Sequence, residues 1–190
     1  MSNNRSLNLT ILMAAIASLI LIIAATNTGY VFARQKFTAS LSGNNEVPPV
    51  NTNAGGEAKF TVINDNTTIK YRINITGLTD ANGAHIHTGK EGKNGAVIVD
   101  LMKNSKKNDI ATGIVIRGNI TDSSLTGPIK GKTVADLISA MSNGDTYTNV
   151  HTPKHPKGEI RGQIAISETT GSNQTSSTSA NETSNITPTG

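Results

Sequence analysis

The chain has no cysteine and no tryptophan, and only three tyrosines and three phenylalanines among its 190 residues. Without cysteine there are no disulfides and no thiolate zinc sites, so any folded body must hold together by burial alone. Charge is also thin: 16% of residues are charged, the formal net charge is +4, and only Lys106 and Lys107 stand side by side. A basic stripe of the kind nucleic acid requires is missing, so nucleic acid is not an expected partner. The carboxylates of the body are spread singly, and no Ser/His/Asp order stands out. Hydrolysis has no support, and the balance leans away from an enzyme.

Long hydrophobic runs are absent but for one. Ile11 to Ala25 is apolar or small throughout except for Ser18, and it follows a polar start whose only charge is Arg5. That is the layout of a signal peptide. The run is at the upper end for a cleavable core and short of the ~20 residues of a straight membrane span, so with help from its flanks it also suits an anchor. Val31 and Ala33 form a small-x-small pattern suited to cleavage after Ala33, although the gap from Ala25 is long for cleavage. Residues 1–33 are therefore expected to be a signal peptide or an N-terminal membrane anchor. Either way the remainder is exported, secreted or membrane-tethered at the cell surface.

At the other end, residues 167–190 collapse to Ser, Thr, Asn and Gly, with Ile186 as the only bulky apolar residue. Such a segment cannot bury enough surface to fold and is expected to be a disordered tail. Asn-x-Ser/Thr acceptors occur there at Asn173, Asn181 and Asn185, and in the body at Asn66, Asn74 and Asn119. They are glycosylation candidates, although a sequence this rich in Asn, Ser and Thr produces several by chance.

Between residues 36 and 166 the pattern has period two: Ala58-Phe60-Val62, Ile69-Tyr71-Ile73-Ile75, Ile160-Ile164-Ile166. Alternation means strands with one wet face. Further candidates are Phe37 to Leu41, Ala84 to His87, Ala96 to Met102, Ile114 to Ile120 and Thr146 to Val150. The fold class is all-β, an antiparallel Greek-key-like β-sandwich or barrel of about eight strands. Asn64 to Asn66 reads as a hairpin turn. One short crossover helix is expected, with Thr133 as its cap, Asp136 at the capping-box offset, Val134, Leu137, Ile138 and Met141 on one face, and Asn143-Gly144 as its stop.

All four histidines fall in two short stretches, Ala84-His85-Ile86-His87 and His151-Thr152-Pro153-Lys154-His155. On a strand, residues i and i+2 project from the same face about 6.5 to 7 Å apart, so His85 and His87 can converge on one ion while Ile86 faces the core. His151 makes a third imidazole and His155 a candidate fourth. Imidazole-only ligation suits a transition metal, with copper favoured and zinc the alternative. The plainer account places His-x-His on a wet strand edge and His151 in a turn. Glu159 and Arg161 share a strand face and are expected to pair structurally. The glycines at 89, 92 and 95 are followed by a strand and not by a helix, so they read as turns and not as a phosphate loop.

Four ordered stretches carry a family likeness: Asn44-Asn45-Glu46-Val47-Pro48-Pro49-Val50; Ala84-His85-Ile86-His87 with Gly89, Gly92, Asn94 and Gly95; Tyr147-Thr148-Asn149-Val150-His151-Thr152; and Gly158-Glu159-Ile160-Arg161-Gly162-Gln163-Ile164. Over residues 36–166 the chain resembles the CHRD domain, the module named after chordin. The resemblance implies an extracellular β-sandwich without a well-defined activity. The growth-factor-binding cysteine-rich repeats of chordin are not in this sequence, so that function does not transfer. His-x-His is also similar to the copper-ligand strand of Cu,Zn superoxide dismutases, whose cysteines and zinc-loop ligands are missing here.

Three readings follow. In the first, an exported or membrane-tethered CHRD protein binds a transition metal through His85, His87, His151 and His155. In the second, the module recognises cell-surface proteins or glycans and the histidines are incidental. The third and lesser one is a copper redox enzyme of the superoxide dismutase type.

Overall fold

The computed structural model describes residues 34–103, 105–110 and 113–167. The segment expected to be a signal or anchor and nearly all of the polar tail, with Asn173, Asn181 and Asn185, lie outside the described residues. Among the described residues, no helix is long and apolar enough to cross a membrane.

The chain runs β1 (Lys36–Ser42), β2 (Gly55–Ile63), β3 (Thr68–Thr76), β4 (Gly83–Thr88), β5 (Val97–Asp100), β6 (Lys106–Ile110), β7 (Gly113–Ile120), α1 (Val134–Ser142), β8 (Thr146–His151), β9 (Ile160–Gln163) and β10 (Ala165–Ile166). The strands form one antiparallel sheet in the order β5-β4-β8-β9-β1-β2-β3-β7-β6, with β10 also against β1. All eight strands expected from alternation are present. The last of them is broken into β9 and β10, and β6 is an addition. Its Lys-Lys-Asn-Asp-Ile has no apolar alternation, and it is a strand because β7 pairs with it. As an edge, it is guarded by Lys106 and Lys107.

Period two fixes which face is dry. Phe37, Ala39 and Leu41 of β1, Ala58, Phe60 and Val62 of β2, and Ile69, Tyr71, Ile73 and Ile75 of β3 are all buried. Register then lines up an aromatic row, since Phe37 pairs with Phe60, Phe60 with Tyr71, and Tyr71 with Gly118 of β7. Gly118 makes room for the row: a Cβ there would sit 2.5 Å from Tyr71 Oη. That hydroxyl donates to Leu101 O at 2.7 Å, just past β5 at the far end of the strand order. Val99 of β5 also bridges Leu125, and Thr126 N donates to Ile98 O at 2.9 Å. The sheet therefore rolls over on itself into a half-closed barrel whose seam lies beside β5.

Helix α1 forms as the capping residues dictate. Thr133 Oγ1 accepts from Asp136 N at 3.3 Å, Asp136 Oδ2 accepts from Thr133 N at 2.8 Å, and Gly144 takes the left-handed conformation at φ 69°. Its face of Val134, Leu137, Ile138 and Met141 joins the core. The β2–β3 connection carries three consecutive left-handed residues, Asn64, Asp65 and Asn66, at φ 52°, 50° and 67°. Asn and Asp tolerate that region better than other non-glycine residues.

Candidate functional site

Pairing of β4 with β8 assembles the site. Gly83 stands opposite His151, His85 opposite Asn149, and His87 opposite Tyr147. Two strands whose histidines are 66 residues apart in sequence thus place them on one outer face, with Ala84, Ile86 and Val150 turned into the core. One ligand atom each from His85, His87 and His151 lie within 4.8 Å of one another. His155 is not in that group. It sits in the turn after β8, where its backbone N bonds Thr152 O at 3.1 Å, and its Nε2 is buried without a hydrogen-bond partner.

Backbone carbonyls decide which nitrogens face inwards. His87 Nδ1 lies 3.0 Å from Gly95 O, and His151 Nδ1 lies 3.0 Å from Pro156 O. A carbonyl only accepts, so both Nδ1 atoms carry the proton and both Nε2 atoms offer a lone pair. His87 Nε2 is buried and has no hydrogen-bond partner. His151 Nε2 meets His85 Nδ1 at 3.1 Å and Asn149 Oδ1 at 3.0 Å. His85 can donate to it, but Asn149 Oδ1 then faces a nitrogen with no proton left to give. The centre thus holds more acceptors than donors, and His85, His87 and His151 are the residues that could hold a cation there.

Burial lowers the pKa of all three imidazoles; His85 is brought to about 4, with the neighbouring His151 adding to the effect. Neutral imidazole is the ligand form. Around the histidines, Tyr147 stacks on His87 at 4.8 Å between centroids, and Arg161 lies 3.4 Å over the Tyr147 ring. Glu46 is buried nearby; burial raises its carboxyl pKa, against the pull of Arg161 and Asn149. His85 also lines a cavity of 470 Å³ at the seam, with Asp100, Lys103, Ser123 and Lys130.

One expectation is corrected. Glu159 and Arg161 do not pair. Glu159 precedes β9 and accepts from Thr52 Oγ1 at 2.7 Å and Thr152 Oγ1 at 2.6 Å, whereas Arg161 turns to the 90–94 segment. The glycine-rich segment is a loop leading into β5, as its turn residues imply. Of the body's glycosylation candidates, Asn66 and Asn119 are exposed, and Asn74, half-buried on β3, accepts from Arg72 Nε at 2.9 Å. Tyr147 and Asn149 join the site as well, and their sequence signal is the i, i+2 spacing that puts them on His151's face of β8. Glu46 and the carbonyls of Gly95 and Pro156 carry no such signal.

A family model described as the CHRD domain matches residues 37–164. Chordin of Xenopus laevis is 28% identical over 140 residues, which is 70% of this chain and 13% of chordin. The chain thus spans a small part of the length of the curated relative it matches.

Proposed function

We propose that this chain, which belongs to the CHRD domain family, works outside the cytoplasm as an interaction module whose folded body meets proteins or glycans of the cell surface. The observation that supports this reading is the extent of the likeness. It runs over residues 37–164, almost from β1 to β10, so a whole module is held in common and not one motif. Export is supported by the apolar run at Ile11 to Ala25. Protease added to intact cells should digest the full chain while sparing a cytoplasmic marker. Protection of the chain equal to that of the marker would rule the reading out.

The convergence of three imidazoles favours a second, compatible reading, in which His85, His87 and His151 hold one transition-metal ion, copper before zinc. A bound Cu(II) or Zn(II) would supply Lewis acidity, and copper would also supply redox chemistry. The chain's own part is to present two Nε2 lone pairs fixed by the Gly95 and Pro156 carbonyls. Titrating the full chain with Cu(II) should give one site with nitrogen coupling in the EPR spectrum, lost in His87→Ala and in His151→Ala. Equal binding by both variants sinks the metal reading. The dismutase version requires superoxide turnover above that of free copper.

A further inference from the structure

The one carbonyl that bonds His87 Nδ1, Gly95 O, belongs to the loop between β4 and β5. Residues 90–96 are all exposed and contain no regular element beyond a turn. Thr88 N donates to Ala96 O at 3.0 Å and Lys90 Nζ lies 3.9 Å from Asp145 Oδ1, and one buried cation bonds the stretch between them. Arg161 of β9 is 2% exposed; its Nη1 donates to Asn94 Oδ1 at 3.0 Å, and its Nη2 donates to Lys93 O at 2.8 Å and Lys90 O at 3.3 Å. Asn94 in turn donates to Val47 O at 2.8 Å. The loop therefore closes around the guanidinium, and the next residue, Gly95, is the one that faces His87.

The same cation reaches His87 by a second route. Its guanidinium covers the Tyr147 ring, and that ring stacks on the imidazole with planes 10° apart. The Tyr147 hydroxyl also accepts from Gly95 N at 3.3 Å. Gly95 is tightly placed: a Cβ there would lie 1.8 Å from Thr88 O. Arg161, Tyr147, Gly95 and His87 thus form one connected unit in which only Arg161 bonds several parts of the loop at once.

We infer that Arg161 is a positioning residue for the histidine centre: its three bonds to the 90–94 segment aim Gly95 O at His87 Nδ1 and so keep His87 Nε2 free as the ligand nitrogen. The inference rests on the metal reading for its purpose, but its geometry holds in the metal-free protein. A planar fork is what the arrangement requires, since it spreads several N–H groups over acceptors on different residues, and a lysine ammonium cannot stack on Tyr147 in the same way. Partners one step removed from a ligand affect metal affinity about 10- to 100-fold.

The test reads the His87 tautomer directly. Long-range ¹H–¹⁵N spectra of the metal-free full chain should show His87 as one tautomer with the proton on Nδ1. In Arg161→Met, and to a smaller degree in Asn94→Ala, His87 should populate both tautomers while His151, whose partner is Pro156 O, keeps its own. Zn(II) affinity should fall in Arg161→Met, by at most the about 10- to 100-fold that follows loss of a ligand's own hydrogen-bond partner. Asn94 is exposed, so Asn94→Ala keeps the question answerable if Arg161→Met does not fold. Lys93→Ala, which leaves the Lys93 carbonyl in place, should behave as the parent. A single Nδ1–H tautomer in the folded variants overturns the inference, and so does a Lys93→Ala effect as large as that of Asn94→Ala. If the parent binds no metal yet the tautomer responds as stated, the positioning role stands and the metal reading alone falls.

Discussion

Between pH 7 and pH 4 the metal-free domain is expected to lose about 3 kcal/mol of stability through His85 alone. Burial, reinforced by His151, holds the folded imidazole at about 4, against its ordinary 6.5. In the window between these values the unfolded chain takes up a proton that the native state refuses. Stability is therefore complete above pH 6.5 and is lost as the pH falls towards 4. His87 and His151 are lowered by burial as well and add in the same direction. Glu46 acts against them, because a carboxyl raised by burial favours the native state on acidification. Urea unfolding at pH 7 and pH 4 measures the sum, and His85→Gln should flatten the slope. Equal stability at the two pH values would contradict the buried, neutral cluster.

Phe60→Ala is expected to cost about 3–5 kcal/mol, the range for emptying a buried aromatic site. Phe60 is completely buried and stands between Phe37 and Tyr71 in the aromatic row. Collapse into the space is hindered on both sides, because Phe37 is itself fully buried and Tyr71 is held by its bond to Leu101 O. Against a typical total of about 5–15 kcal/mol, one such loss leaves little reserve. The urea midpoint reads it, and a cost below about 1 kcal/mol would mean that the row does not carry the core.

Most of the fold was legible because apolar residues alternate over long enough stretches to fix both strand and face, as at Ile69-Tyr71-Ile73-Ile75. Lys106–Ile110 shows the limit: with no alternation of its own, it is a strand only by virtue of its partner. The site was half legible for a similar reason. Period two places His85 with His87, and Tyr147 with Asn149 and His151, but the alignment of β4 against β8 is a long-range event that local pattern does not encode. His155, the candidate fourth ligand, lies outside the group, and it is the carbonyl of the adjacent Pro156 that serves His151. A backbone oxygen leaves no mark in composition, so the groups that fix the tautomers could come only from the fold.

The pairing of β1 with β10 has a consequence for how such a module is used. Phe37 pairs with Ile166, and Ser167 N donates to Lys36 O at 2.9 Å, so the chain departs from the domain beside the point where it arrived. A body whose two ends meet can be spliced into a longer polypeptide as a side excursion, or repeated along it, without shifting what precedes or follows. That architecture suits a unit whose length of similarity amounts to 13% of chordin.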